Sequence, residues 1–128
     1  MTKEQALYQF WSSFGIPAYA EGRVPTGNLK PGFPYITFQV VTDSFGAPLI
    51  ATASIWDRDS DNYNGELQNN IKAKEISEAL GLGGSWFKYE GGALWIQKGH
   101  PFAQSMGEDS DDKIRRKLLN VAIEFMSE

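Results

Sequence analysis

Three aspartates at alternate positions are the best candidates for cation chemistry in this sequence. Asp57, Asp59 and Asp61 have the spacing of the first ligands of a helix–loop–helix calcium loop. That loop needs Gly at its sixth position for a sharp turn and Glu at its twelfth as a bidentate ligand, and this chain has Asn62 and Gln68 there. The pattern therefore favours a solvated polar loop that caps a following helix. A hydrolase that uses one of these aspartates with a metal remains an alternative.

Other residues that could do chemistry have incomplete surroundings. His100 is the only histidine, and it precedes Pro101 in a predicted turn, with no Gly-x-Ser-x-Gly motif in the chain. The acidic stretch 107–112 (GEDSDD) is typical of a solvated loop. Residues 81–84 (GLGG) follow a predicted helix, whereas a phosphate-binding glycine loop precedes one. We therefore predict no catalytic residue, no cofactor site and no metal site, and we expect a protein that is not an enzyme.

A basic cluster near the end of the sequence is the best candidate for contact with a charged partner. Lys113, Arg115, Arg116 and Lys117 could touch a phosphate backbone, or they could protect the edge of a sheet by charge. If this segment is a strand, Arg115 and Lys117 share one face and Arg116 points to the other. Aromatic residues make up 13% of the chain, and aromatic side chains are enriched at interfaces as well as in cores.

Composition limits the classes of protein that this sequence can encode. The 128 residues fit one domain, spanning residues 1–128, and the charge of −4 gives no strong nucleic-acid footprint. The absence of cysteine excludes disulfides and thiolate metal sites. No apolar run approaches the roughly 20 residues that span a bilayer, and no signal-peptide core follows the N-terminus. We expect a soluble protein that is not exported.

The elements that must position these residues begin with a helix and a hairpin. Thr2 and Gln5 have the spacing of a capping box, and Leu7, Phe10, Trp11 and Phe14 follow at helical intervals until Gly15. A three-residue edge strand is predicted at Ala18–Ala20, then a long Gly/Pro-rich loop at residues 21–34. Residues 34–56 contain two alternating runs that flank a turn at residues 43–46, and this pattern predicts a β-hairpin. In the first run Ile36, Phe38 and Val40 point one way, and in the second Leu49, Ala51, Ala53 and Ile55 share a face.

The second half repeats this order and adds one strand. A helix is predicted at Gly65–Leu80, with Leu67, Ile71, Ile76, Ala79 and Leu80 on its buried face. Residues 86–89 and 93–98 flank a Glu-Gly-Gly turn and predict a second hairpin, followed by a loop at residues 99–112. Leu119, Val121, Ile123 and Phe125 alternate with period two and predict a strand. The predicted fold is α+β, a mostly antiparallel sheet of two hairpins plus a C-terminal strand, with two helices packed on one face.

Several phrases of this sequence resemble a known family. They are residues 5–19 (QALYQFWSSFGIPAY), residues 33–38 (FPYITF) running to residues 53–56 (ASIW), and residues 115–125 (RRKLLNVAIEF). Together they resemble the tail terminator, or minor capsid (head–tail joining), proteins of long-tailed phages and prophages of Gram-positive bacteria. The resemblance covers nearly the whole chain and includes no catalytic signature.

The resemblance implies a structural virion assembly protein. Subunits of that family self-associate into a ring, a hexamer being expected, which caps the tail tube and contacts both the tail tube protein and the head connector protein. DNA only passes through the lumen, and the expected location is the virion, after assembly in the host cytoplasm. On this view the interface or lumen candidates are Trp56, Asp57, Arg58, Arg115, Arg116 and Lys117. The alternative from a different class is a small α+β ligand-binding or immunity-type module, acting as a monomer or dimer.

Overall fold

The structure, a computed structural model, describes residues 2–41, 48–106 and 113–127, without the side chain of residue 127. The predicted turn at residues 43–46 and the acidic stretch 107–112 lie outside the described residues. The elements in chain order are α1 (Lys3–Ser12), β1 (Ala18–Ala20), a short 3₁₀ turn (Gly27–Leu29), β2 (Tyr35–Phe38), β3 (Leu49–Arg58), α2 (Gly65–Leu80), β4 (Ser85–Tyr89), β5 (Gly92–Met106) and β6 (Ile114–Ser127).

All six strands form one sheet in the order β1-β2-β3-β6-β5-β4. The pair β1 and β2 is parallel and every other neighbouring pair is antiparallel. The last strand therefore lies between the two predicted hairpins and joins them. The predicted α+β class with a mostly antiparallel sheet is confirmed, and so is the short edge strand β1.

Both helices pack on the same face of the sheet, which we call the inner face. Alternate strand residues point toward the helices and form the core with Leu7, Phe10, Trp11, Ile76 and Leu80. The strand residues of the core are Ala18, Ile36, Phe38, Ala51, Ala53, Ile55, Leu94, Ile96, Leu119, Val121, Ile123 and Phe125. We call the opposite side the outer face, and the contacts of α1 and α2 with the sheet are made through the inner face.

Local sequence signals account for the ends of both helices. Thr2 and Gln5 form the predicted reciprocal capping box at the start of α1. Asn64 caps α2 by accepting a hydrogen bond from the backbone N–H of Leu67. Gly81 follows the last turn of α2 with a φ of +61°, a conformation that glycine adopts at little cost. Neither helix is long and apolar enough to cross a membrane within the described ranges.

The buried face of α2 agrees with the prediction at Ile76 and Leu80 and differs elsewhere. The residues that face the sheet are Asn69, Ala73, Ile76 and Leu80, whereas Leu67, Ile71 and Ala79 are exposed. The spacing 69–73–76–80 is helical, but its first member is polar, so an apolar pattern does not detect it. Asn69 is accommodated because its Nδ2 donates to the carbonyl oxygens of Ile55 at 3.4 Å and Arg115 at 3.2 Å.

The predicted loop at residues 99–112 is wrong in its first half. The strand β5 continues to Met106, and the register against β6 shifts between Lys98 and Ala103. This irregular stretch contains Gly99, His100 and Pro101. Sequence patterns assign these residues to a turn, but in the structure they form a bulge in β5. Beyond it, Ala103 to Met106 pair with Leu119 to Arg116. The strand β6, by contrast, is confirmed, with Leu119, Val121, Ile123 and Phe125 all buried.

Candidate assembly surface

The outer face of the sheet carries two groups of aromatic side chains. The first, which we call the Trp56 cluster, consists of Phe33, Tyr35, Trp56 and Arg116. Its rings stack in sequence, with centroids 5.5 Å apart for Phe33 and Tyr35 and 6.4 Å apart for Tyr35 and Trp56. The strand register produces this row, because Tyr35 pairs with Trp56 and Trp56 pairs with Arg116.

Arg116 is fixed at the end of this row by two contacts. Its guanidinium carbon lies 4.9 Å from the centroid of the Trp56 ring, within the range of a cation–π interaction. Its Nε donates to the hydroxyl of Ser54 at 2.9 Å, and the Trp56 Nε1 donates to the hydroxyl of Thr37 at 2.9 Å. The Trp56 cluster is therefore held in a defined shape within one subunit, which reduces the entropy cost of binding a partner.

The second group, the Trp86 cluster, consists of Trp86 and Trp95, which are cross-strand partners in β4 and β5. The two indole rings are stacked with centroids 5.4 Å apart, and the Trp95 Nε1 donates to the carbonyl oxygen of Gly83 at 2.8 Å. Trp86 is 56% exposed, and Ile50, which lies on the same face but in β3, is 68% exposed. Large apolar side chains that remain exposed in a group are typical of an interaction surface.

The predicted interface residues divide between the two faces of the sheet. Trp56 and Arg116 lie together in the Trp56 cluster, and Arg58 is exposed at the end of β3. Asp57, Arg115 and Lys117 point to the inner face, where the register pairs Asp57 with Arg115. The prediction that Arg115 and Lys117 share a face opposite to Arg116 is confirmed.

The prediction that Asp57 lies in a solvated loop is wrong. It belongs to β3 and is only 1% exposed. Its carboxylate accepts hydrogen bonds from the Tyr63 hydroxyl and from the backbone N–H of Arg58. Burial, and then the bond to Asp57, raises the pKa of Tyr63 to about 12, so Tyr63 stays protonated at neutral pH. We therefore assign Asp57 a structural role in this subunit.

Two ion pairs bind the start of α2 and the loop before it to β6. The Arg115 Nη2 lies 2.6 Å from the Asp59 carboxylate, and the Lys117 Nζ lies 3.2 Å from the Glu66 carboxylate. The hydrogen bond from Arg115 is the main cause that lowers the pKa of Asp59. The pKa of Glu66 is lowered first by the Ser105 hydroxyl and then by Lys117. Arg115 and Lys117 thus neutralise carboxylates of their own chain.

The aspartates considered for calcium do not form a site. Asp57 and Asp59 are engaged by the groups described above, and Asp61 is exposed in the loop before α2. Within residues 2–41, 48–106 and 113–127, no group of three or more His, Cys, Asp or Glu side chains could hold a metal ion. His100 is exposed in the irregular part of β5.

A groove lies between α1 and β1. It has a volume of about 520 Å³ and is lined by Tyr8, Tyr19 and Phe38, among others. Its rim holds the ion pair between Arg23 and Glu4, whose charged atoms are 2.7 Å apart. Aromatic walls with a few charged groups at the rim are common in sites for small ligands and peptides.

The fold and the surface define an α+β protein in which, among the described residues, helices cover one side of the sheet. Comparisons with protein-family models, with curated proteins and with solved structures find no match.

Proposed function

We propose that this chain is a structural protein of phage assembly, which forms a ring at the end of the tail tube and joins the tube to the head connector. The proposal combines the resemblance of residues 5–19, 33–56 and 115–125 to tail terminators with one structural observation. That observation is the outer face of the sheet, where the half-buried Trp56 cluster and the Trp86 cluster, with Trp86 itself exposed, are covered by neither helix.

A ring places a physical demand on its subunit that this observation fits. Every subunit of a closed ring meets its neighbours through two different and complementary surfaces. An open sheet face with pre-positioned aromatic side chains supplies one such surface, because Trp, Tyr and Arg are enriched in the energetic centres of interfaces. A hexamer is the proposed stoichiometry, and the tail tube protein and head connector protein are the proposed partners.

The charge of the chain is compatible with DNA passing through the ring without being held. The net charge is −4, and Arg115 and Lys117 of the basic cluster are paired with Asp59 and Glu66. A protein that binds DNA tightly places many unpaired cations on one face, because affinity comes largely from neutralised phosphates. On this proposal the protein resides in the virion and carries out no reaction.

The decisive experiment is a tail-length assay with purified components. Tail tube protein that polymerises alone gives tubes of unlimited length, and addition of this chain should fix the length by capping the growing end. A phage that lacks the gene should make tails that do not join heads. Tubes that elongate equally with and without the protein, together with normal particles from the deletion phage, would reject the proposal.

The groove between α1 and β1 favours a second candidate, a small ligand-binding or immunity-type module. In that case the functional surface would be the wall formed by Tyr8, Tyr19 and Phe38, and the outer face would stay free. Native mass spectrometry of the purified chain with and without tail tubes separates the two candidates. A mass equal to that of a ring supports the terminator. A monomer that does not bind tail tubes, and whose Tyr8→Ala variant loses ligand binding, supports the module.

A further inference from the structure

The strand β1 has an edge that no described strand covers. It is the first strand in the order of the sheet, and β2 is its neighbour on one side only. The N–H of Glu21 and the carbonyl oxygen of Pro17 bond to β2, at 2.9 Å and 2.8 Å. Because backbone groups alternate between the two sides of a strand, those of Ala18 and Ala20 face the open edge. The carbonyl oxygen of Ala20 accepts from the Arg23 N–H, whereas no described strand bonds to the Ala18 carbonyl oxygen or the Ala20 N–H.

The groove between α1 and β1 runs beside this edge and has aromatic walls. Ala18 and Ala20 line it from the strand. Tyr8 lines it from the helix and Phe38 from β2, with their ring centroids 6.5 Å apart and Tyr8 53% exposed. Because each alanine carries only a methyl group, space remains between the strand and the helix, and the groove has a volume of about 520 Å³. Apolar walls therefore lie directly beside two open backbone groups.

We infer that this edge binds an extended segment of a partner protein, which adds to the sheet as one more strand beside β1. One residue of a parallel strand can donate to the Ala18 carbonyl oxygen and accept from the Ala20 N–H. Its side chain would lie on the outer face beside Tyr19, and the residues before and after it would place their side chains in the groove. We expect large apolar side chains at those two positions, because the walls are aromatic and the Arg23–Glu4 ion pair leaves the rim without net charge.

A second copy of this chain is a poorer source of the segment than a partner protein. All six described strands already pair within one sheet, so the strand that a copy could offer is the last one in the order, β4. The inward side chains of β4 are held by α1 of their own subunit. The Phe87 and Phe10 rings are 5.4 Å apart, and the Lys3 Nζ lies 5.8 Å from the Tyr89 ring centroid. The inference needs neither the ring nor the tail tube, so it goes beyond the proposed function and can fail independently of it.

Selection of peptides on the purified chain tests the inference. The probe is a random decapeptide library in mRNA display, and we expect the enriched peptides to carry large apolar residues at alternate positions. The best peptide is then N-methylated at one backbone position at a time. Because an added strand directs every second N–H toward its neighbour, we expect binding to weaken with a period of two. A library that yields no enriched peptide, or a scan without this period, would overturn the inference.

Two proline variants locate the peptide on the sheet. Ala20→Pro removes the N–H at the open edge and leaves the bonds to β2 in place, and we expect peptide binding about tenfold weaker. Lys88→Pro is the matched control on the far edge of β4, because the two-residue turn between Tyr89 and Gly92 directs the Lys88 N–H away from β5. It should bind the peptide as the wild type does.

Urea denaturation establishes that both variants fold, and if Ala20→Pro does not, the N-methyl scan on the wild-type chain decides alone. Equal affinities of the two folded variants would place the peptide elsewhere and reject the site. Light scattering of the chain without peptide examines the other occupant. Self-association that Ala20→Pro abolishes and Lys88→Pro does not would assign the edge to a second copy and overturn the partner protein as its source.

Discussion

The guanidinium group of Arg116 bridges two strand neighbours on the outer face, stacking on Trp56 and donating its Nε to the Ser54 hydroxyl at 2.9 Å. Ser54 is only 1% exposed, so its hydroxyl depends on this partner. Arg116 therefore contributes to the stability of the subunit as well as to its surface. This differs from a simple exposed charge, which contributes little to folding.

A double-mutant cycle should detect this coupling. We expect Arg116→Met and Ser54→Ala to be non-additive by about 1 kcal/mol in the free energy of unfolding, the usual size of one hydrogen bond. Chemical denaturation of the wild type, the two single variants and the double variant measures it. The matched control is Lys88→Met with Ser54→Ala, since Lys88 lies three strands away in β4 and the pair should be additive. Additivity of the Arg116 pair would contradict the assignment.

A charge placed in the middle strand should unfold the protein. Ile123 is 1% exposed on the inner face of β6, so Ile123→Asp buries a carboxylate among apolar side chains. We expect a loss of about 4 kcal/mol in the free energy of unfolding, measured by urea denaturation. Ile50→Asp is the control, because Ile50 is exposed on the outer face and should cost far less. Similar losses for both variants would show that the inner and outer faces are wrongly assigned.

Stability should decrease in acid because of Asp59 and Glu66. Both carboxyl groups have a folded-state pKa below the ordinary values of 3.8 and 4.5. A carboxyl group whose pKa is lower in the folded state than in the unfolded state stabilises the protein at pH values above the unfolded-state pKa. This contribution is lost as the pH falls through the folded-state pKa. We expect unfolding midpoints in urea to fall as the pH drops below about 4.5, and Glu66→Gln to flatten this dependence. The control is Glu78→Gln on the exposed side of α2. If Glu66→Gln leaves the dependence of the unfolding midpoint on pH unchanged, Glu66 does not contribute to the loss of stability in acid.

Gly92 is required where β5 begins its pairing with β6. A Cβ added at this position would overlap the backbone carbonyl oxygen of Met126, so Gly92→Ala forces the two strands apart. We expect a loss of roughly 2 kcal/mol in the free energy of unfolding. Gly83→Ala, where the added methyl group meets open space, should be close to neutral in the same assay. A neutral Gly92→Ala would mean that this register is not kept in solution.

The loop at residues 21–34 should respond to assembly. Its residues are exposed or half-buried, and after Glu21, whose N–H donates to the Phe38 carbonyl oxygen, its described backbone bonds are local, such as Arg23 N–H to the Ala20 carbonyl oxygen. We expect fast amide hydrogen exchange in the isolated subunit and slower exchange in the ring or on the tail tube. The amides of β6 are the internal reference and should be protected in both. Strong protection of residues 21–34 in the free subunit would exclude their ordering by neighbours.

Sequence patterns predicted the positions of the helices and strands better than they predicted which side of each element is buried. The alternation in β6 and the capping residues Thr2, Asn64 and Gly81 act locally, so they are readable without the tertiary structure. On α2, Ile76 and Leu80 are buried as predicted, but the start of the buried face was predicted wrongly because Asn69 faces the sheet, where backbone carbonyls of distant strands satisfy it. The extension of β5 was missed because a bulge accommodates Gly99 and Pro101.

The candidate surface could be predicted only in part. Trp56 and Arg116 were both expected at an interface, and period-two alternation places each on one side of its strand. Their contact depends on the register between β3 and β6, which no local pattern sets. Asp57 was assigned to a solvated loop because acidic residues rarely lie in buried strands, and its partner Tyr63 follows six residues later.

The central position of β6 governs the order in which this protein can fold during synthesis. A ribosome produces β1 to β3 and α2 first, then β4 and β5, and these groups acquire their shared neighbour only when residues 114–127 have emerged. Until then β3 and β5 each present an open edge to the solvent, a state prone to aggregation. Nascent chains stalled before residue 114 should therefore engage chaperones, and release of the last strand should complete the sheet in one late, cooperative step.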